Sequence, residues 1–109
     1  MNWIDLTDEA QIATIIEQSK TQPVAILKHS TRCSISTMAK SRLERSGEPE
    51  GILFYYLDLI RYRNISNRLA EDFKVHHESP QVLVIRNGEC VYDERHGRIT
   101  MDEIAEQAA

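Results

Sequence analysis

Val24-Ala25-Ile26-Leu27-Lys28-His29-Ser30-Thr31-Arg32-Cys33-Ser34-Ile35-Ser36-Thr37-Met38-Ala39 changes its pattern partway along. The first five residues are a nearly continuous apolar run of strand length, which reads as a central strand buried on both faces. Beyond Cys33, the residues Ile35, Met38, Ala39 and Leu43 fall at i, i+3, i+4 and i+8. That spacing predicts one apolar stripe on a helix running to about Ser46-Gly47. Cys33 therefore stands where a strand gives way to a helix. A thiol there faces unpaired backbone N–H groups and the positive end of the helix dipole, both of which favour the nucleophilic thiolate. Arg32 adds a fixed positive charge beside it. Ser36 stands three residues on, where a second cysteine would complete a Cys-x-x-Cys pair.

Length narrows what surrounds this junction. A chain of 109 residues is sized for one domain and can bury roughly two-thirds of its unfolded surface, enough for a core without disulfide or metal staples. Its two cysteines need not form a scaffold. Hydrophobic residues at 41%, charged residues at 28% and a formal charge of -4 fit an ordinary soluble protein and give no reason to expect nucleic acid as a partner. Met1-Asn2-Trp3-Ile4-Asp5 lacks a basic region followed by an apolar one, and no apolar run approaches the length that crosses a bilayer. The expectation is a cytoplasmic protein with no membrane partner, in a compartment where an unpaired cysteine persists as a thiol.

Upstream of the junction, Thr7 is expected to cap a helix opened by Asp8 and Glu9, with Ile12, Ala13, Ile15 and Ile16 on one face up to about Ser19. Downstream, Gly47, Pro49 and Gly51 end the second helix, and Ile52 to Leu59 read as a second internal strand, parallel to the first. A third helix is expected from about Asn64 to Lys74, where Ile65, Leu69 and Phe73 recur at four-residue spacing. Gln81-Val82-Leu83-Val84-Ile85-Arg86 and Glu89-Cys90-Val91-Tyr92 are joined by Asn87-Gly88, a strong signal for an antiparallel hairpin. Thr100 with Glu103 makes a capping box that opens a last helix.

A parallel βαβ half joined to an antiparallel ββα half, with a reactive cysteine at the first strand-to-helix junction, is similar to the thioredoxin fold. The resemblance implies an α/β protein with a central mixed four-stranded sheet flanked by helices, residues 1–109 forming one thioredoxin-like domain. It becomes more specific in His29-Ser30-Thr31-Arg32-Cys33-Ser34-Ile35-Ser36, Glu78-Ser79-Pro80-Gln81-Val82 and Asn87-Gly88. With these the chain resembles, over nearly its whole length, the monothiol bacilliredoxins, the YtxJ-type proteins of the bacillithiol system. Their usual motif is Thr-Cys-Pro-Ile-Ser. Here Arg32 precedes the cysteine and Ser34 replaces the proline, a residue with φ pre-set for a first helical turn; Ile35 and Ser36 are kept.

The resemblance implies a monothiol, C-x-x-S thiol–disulfide oxidoreductase that removes bacillithiol from the cysteines of oxidised proteins. Its catalytic residues are Cys33 and Ser36, and Arg32, Ser34, Ser79 and Pro80 contact substrate. No bound cofactor is expected; a low-molecular-weight thiol is co-substrate and S-thiolated proteins are partners. Bacillithiol, a methylated relative and glutathione all stay open as that thiol. The Ser36 hydroxyl cannot attack a mixed disulfide as a second thiolate does, and is expected only to donate a hydrogen bond to the Cys33 sulfur. Pro80 begins a strand, as prolines often do without further function. The fold family carries a cis-proline there, facing the cysteine, and that placement gives the Ser79 backbone to a disulfide partner by strand-like pairing.

Other chemistry-bearing residues read more plainly. His29, His76, His77 and His96 have no zinc-type spacing with either cysteine, so no metal is expected. His29, last before the loop, is the histidine expected close enough to the thiol to affect it. Cys90 reads as a small half-buried strand residue far from Cys33, and Trp3 and the tyrosines as packing residues. Arg98, near the last helix, is a candidate for small-thiol carboxylates. Two other classes of function stay open: an iron–sulfur carrier like the Cys-Gly-Phe-Ser glutaredoxins, whose glycine and phenylalanine are Ser34 and Ile35 here, and a non-catalytic thioredoxin-fold binding module.

Overall fold

The computed structural model describes residues 1–109. Its elements are β1 (Ile4–Asp5), α1 (Gln11–Gln18), β2 (Val24–His29), α2 (Ser34–Ser46), β3 (Leu53–Asp58), α3 (Arg63–Asp72), β4 (Gln81–Arg86), β5 (Glu89–Arg95), a single 3₁₀ turn at His96–Arg98, and α4 (Met101–Ala108). No helix is long and apolar enough to cross a membrane. The sheet has five strands in the order β1-β3-β2-β4-β5, not the four expected. The extra one, β1, pairs parallel to β3 through Ile4↔Tyr55 and Asp5↔Tyr56. Two residues are too few to leave a period-two pattern in a sequence.

β2 lies in the middle, parallel to β3 and antiparallel to β4, and all six of its residues are buried. This is why Val24 to Lys28 reads as continuous rather than alternating. Alternate residues serve two cores. Val24 and Ile26 pack with Ile12, Ile15, Ile65 and Leu69 under α1 and α3. Ala25 and Leu27 pack with Ala39, Leu43, Met101 and Ile104 under α2 and α4. By the same alternation Lys28 faces the α3 side and His29 the α2 side, at the end of the strand where the thiol-bearing loop begins.

The hairpin forms where expected: Asn87 and Gly88 both adopt positive φ, 51° and 77°, as a tight turn matched to strand twist requires. β5 runs on to Arg95, three residues past the predicted Tyr92, as an edge strand with alternating exposure. Helix α1 starts later than predicted. Thr7 does not cap it; the Thr7 and Asp8 amides both donate to Gln11 Oε1, at 2.8 and 3.0 Å, and the Ala10 amide donates to Asp8 Oδ1. Asp8 thus takes the Ala10 amide that a Thr7 cap would have served, while Gln11 ties down the Thr7 and Asp8 amides from inside the helix.

α2 also presents a different face. Its buried residues are Ser36, Ala39 and Leu43, whereas Ile35 and Met38, assigned to the apolar stripe by spacing, are 50% and 61% exposed. The helix is rolled so that a serine points inward and two apolar side chains stay open beside Cys33. Thr100 caps α4, the Glu103 amide donating to Thr100 Oγ1 at 3.3 Å, but the expected box is only half formed, since the Glu103 carboxylate accepts from Gln107 Nε2 at 3.5 Å instead of from the Thr100 amide. Thr100→Ala is expected to lower the free energy of unfolding by about 1 kcal/mol. Urea denaturation checks this, and an unchanged midpoint would show that the cap contributes nothing.

Candidate active site

Cys33 is the N-cap of α2, in extended conformation (φ -114°, ψ 121°), and its own side chain makes no capping hydrogen bond. Its carbonyl accepts from the Thr37 amide at 3.0 Å and its amide donates to the Ser30 carbonyl at 3.2 Å. The backbone is thereby fixed on both sides, while the thiol, free and partly exposed, points from a helix start whose first amides lack intrahelical partners. Arg32 and Ser34 flank it on the exposed surface, with Ile35 and Met38 alongside.

Ser36 is fully buried and does not serve the sulfur as expected. Its Oγ accepts from the Ser30 amide at 3.0 Å and lies 2.7 Å from His29 Nδ1. The inward roll of α2 explains this, since it turns position 36 toward the sheet and the end of β2. His29 itself is buried, its ring 5.6 Å from that of Tyr56. Burial first, then Lys40, pushes its imidazole below the ordinary histidine value, against Asp58, the Ser36 backbone and Glu44. The imidazole is accordingly neutral at neutral pH. The position of His29 beside the loop follows from its place at the strand end; its grip on Ser36 had no signal in the sequence.

Ser79 and Pro80 lie across from this loop. Their peptide bond is cis, and Gln81, the next residue, is in register with Lys28, the residue before His29. The Pro80 carbonyl accepts from the His96 amide at 3.0 Å. The Glu78 carboxylate faces Arg95 Nη1 at 3.4 Å and His96 Nε2 at 3.5 Å, so residues 78–80 are tied to the end of β5. The Ser79 amide and carbonyl have no backbone partner. Arg98 sits in the exposed 3₁₀ turn, which Arg42 holds against α2 by donating to the Gly97 and Ile99 carbonyls.

On the α3 side, Lys28 is fully buried, a feature unforeseen within an apolar run. Its Nζ lies 2.7 Å from His77 Nδ1 and donates to Gln81 Oε1 at 3.2 Å. Cys90 is remote from all of this. It pairs with Ile85, which in turn pairs with Val24 at the start of β2, so the length of a six-residue strand, about 20 Å, separates its level from the loop. Its thiol donates to the Tyr92 carbonyl at 3.3 Å, and burial pushes its pKa up to about 11.

Comparison with known proteins agrees with this fold. One solved structure, described as having a thioredoxin fold, is 32% identical, covers 97% of this chain and 93% of its own, and superposes with a TM-score of 0.81. The thioredoxins of Malassezia sympodialis (14% identity, 96% of this chain and 90% of that one, TM-score 0.78) and Trypanosoma brucei brucei (12%, 97% and 87%, 0.77) share the fold. The family model of the monothiol bacilliredoxin BrxC matches residues 4–104. That span takes in every strand, the Cys33 loop and the Ser79-Pro80 segment, and on it the chain belongs to the monothiol bacilliredoxin family, thiol redox proteins of thioredoxin fold.

Proposed function

We propose that this protein removes bacillithiol, or a related low-molecular-weight thiol, from mixed disulfides on protein cysteines by a monothiol route with Cys33 as nucleophile. The Cys33 thiolate attacks the small-thiol sulfur of a protein–S–S–small-thiol substrate; a Cys33–small-thiol disulfide forms, and the protein leaves as its thiolate. A second thiolate then attacks the capped enzyme, regenerating the Cys33 thiolate and carrying away the small thiol as a disulfide. The observation that carries this reading is the setting of Cys33: a partly exposed thiol at a helix start, with a buried serine at the resolving position and the other cysteine at the opposite end of the sheet. An intermediate formed there has no internal thiol within the roughly 7 Å Cα separation that a disulfide needs.

In this reading the unpaired Ser79 backbone, next to Pro80, receives the substrate by strand-like pairing. Arg32 and Ser34 meet the small thiol, and exposed Ile35 and Met38 border the approach. The co-substrate is the low-molecular-weight thiol, the partners are S-thiolated proteins, and the compartment is the reducing cytoplasm. Mass spectrometry tests it. After incubation with a model protein capped by bacillithiol, and in parallel by glutathione, the expected result is a bacillithiol adduct on Cys33 alone with release of the model thiol. No adduct from either donor overturns the proposal.

A further inference from the structure

The motif serine has two hydrogen-bond contacts, and neither is to sulfur. Ser36 Oγ accepts from the Ser30 amide, and, being fully buried, its own proton needs an acceptor inside the protein. The one within reach is His29 Nδ1, at 2.7 Å. A satisfied arrangement therefore has Ser36 donating to Nδ1 of a neutral imidazole that carries its proton on Nε2. Were Nδ1 protonated instead, two donors would point at the hydroxyl and its own proton would be left without a partner. Ser30 also accepts from the Cys33 amide, so the contact at His29 continues through Ser36 and Ser30 to the nucleophile's backbone.

We propose that His29 is a positioning residue for the Cys33 chemistry: by accepting the Ser36 proton at Nδ1 it keeps that hydroxyl directed away from the sulfur and bolts the Ser30–Cys33 turn to the end of β2. The serine at the resolving position is then held out of the chemistry as a proton donor. The consequence is directional. Residues three apart in a helical turn are neighbours, so a Ser36 hydroxyl released from His29 turns to the Cys33 thiolate. A thiolate that accepts a hydrogen bond forms at lower pH and attacks more slowly. Lys40 and Glu44 on α2, and Tyr56 and Asp58 on β3, are the charged and titratable groups facing the imidazole. Burial and Lys40 outweigh the carboxylates, which keeps Nδ1 free to accept.

The inference rests on Cys33 being the nucleophile, but its test reads the thiol directly and needs no physiological substrate. Alkylation of Cys33 by iodoacetamide is followed across the pH range in which the thiol titrates, on the Cys90→Ser background so that one thiol reports. His29→Phe, which keeps a ring against Tyr56, is expected to move the half-maximal pH downward by about 0.7, the worth of one hydrogen bond, and to slow the plateau rate about twofold, the Brønsted fraction of that shift. His29→Asn, whose Oδ1 can stand where Nδ1 was, is expected to follow the parent curve. In the double variant His29→Phe/Ser36→Ala no hydroxyl is left to turn, and the half-maximal pH returns to that of the parent. A His29→Phe curve that superposes on the parent, or a shift that persists in the double variant, overturns the proposal. Should His29→Phe fail to fold, two-bond ¹H–¹⁵N correlation on the unaltered protein decides: an unprotonated, hydrogen-bonded Nδ1 supports it, and a proton on Nδ1 overturns it.

Discussion

Cys33→Ser is expected to bring turnover of an S-thiolated protein down to the uncatalysed background while leaving the fold intact. The substitution keeps the size of the side chain and removes the one atom able to form a mixed disulfide. A serine hydroxyl cannot form that disulfide, and the imidazole nearest the loop is already engaged with Ser36 at 2.7 Å. Stability should move the other way. Cys33 is an N-cap without a side-chain hydrogen bond, and serine is among the preferred N-cap residues, so a gain of about 0.5 kcal/mol is expected. Loss of turnover therefore cannot be charged to unfolding. Cys90→Ser is expected to retain turnover, since a thiol whose pKa lies at about 11 is protonated at neutral pH and sits at the other end of the sheet. Undiminished activity in Cys33→Ser sinks the nucleophile assignment, and loss of activity in a well-folded Cys90→Ser sinks the monothiol route.

What was legible in the sequence depended on how local its cause was. The Asn87-Gly88 turn and the Thr100 cap depend on residues within a few positions, and both appear as read. The parallel pairing of β2 and β3 follows from two apolar runs on either side of a helix, and it too appears. The face of α2 did not follow. Ile35 and Met38 satisfy helical spacing as well as Ser36 and Ala39 do, and which set turns inward depends on where His29 and the Ser30 amide wait at the end of a strand. Apolar exposure beside the thiol, and the serine held beneath it, are therefore results of tertiary structure. β1 escaped notice because its two residues carry no pattern without Tyr55 and Tyr56 as partners. Lys28 was hidden by its company: an ammonium among apolar residues is buried only where partners wait for it, and His77 and Gln81 lie 49 and 53 positions further along the chain.

Those partners set up the second large effect, on stability. The Gln81 side chain joins four groups: its Oε1 accepts from Lys28 Nζ at 3.2 Å and from the Glu78 amide at 3.3 Å, and its Nε2 donates to the His76 carbonyl at 3.0 Å and to Asp93 Oδ2 at 3.2 Å. Gln81→Leu fits the volume but strips a partner from a buried cation and from the segment that leads to Ser79, and is expected to cost about 3 kcal/mol. Lys28→Met is expected to cost far less, because Gln81 Oε1 keeps the Glu78 amide and His77 Nδ1 keeps the Ser66 hydroxyl at 3.4 Å. The double variant should consequently be more stable than Gln81→Leu alone, the stranded charge being gone. A double variant less stable than Gln81→Leu would show that Lys28 stabilises by packing and not through its partners. Titration separates the charge from the shape. Burial first, then Arg63, against Glu78, lowers the Lys28 pKa from 10.5 to about 8. Below about pH 8 the ammonium is present in folded and unfolded chains alike and the cost of burying it is fully felt. Between about 8 and 10.5 the unfolded chain holds the proton that the folded one has released, so the Lys28 contribution to stability rises with pH. Urea denaturation across that window should show the unaltered protein gaining on Lys28→Met as pH increases, and parallel curves would mean that the buried amine does not titrate there.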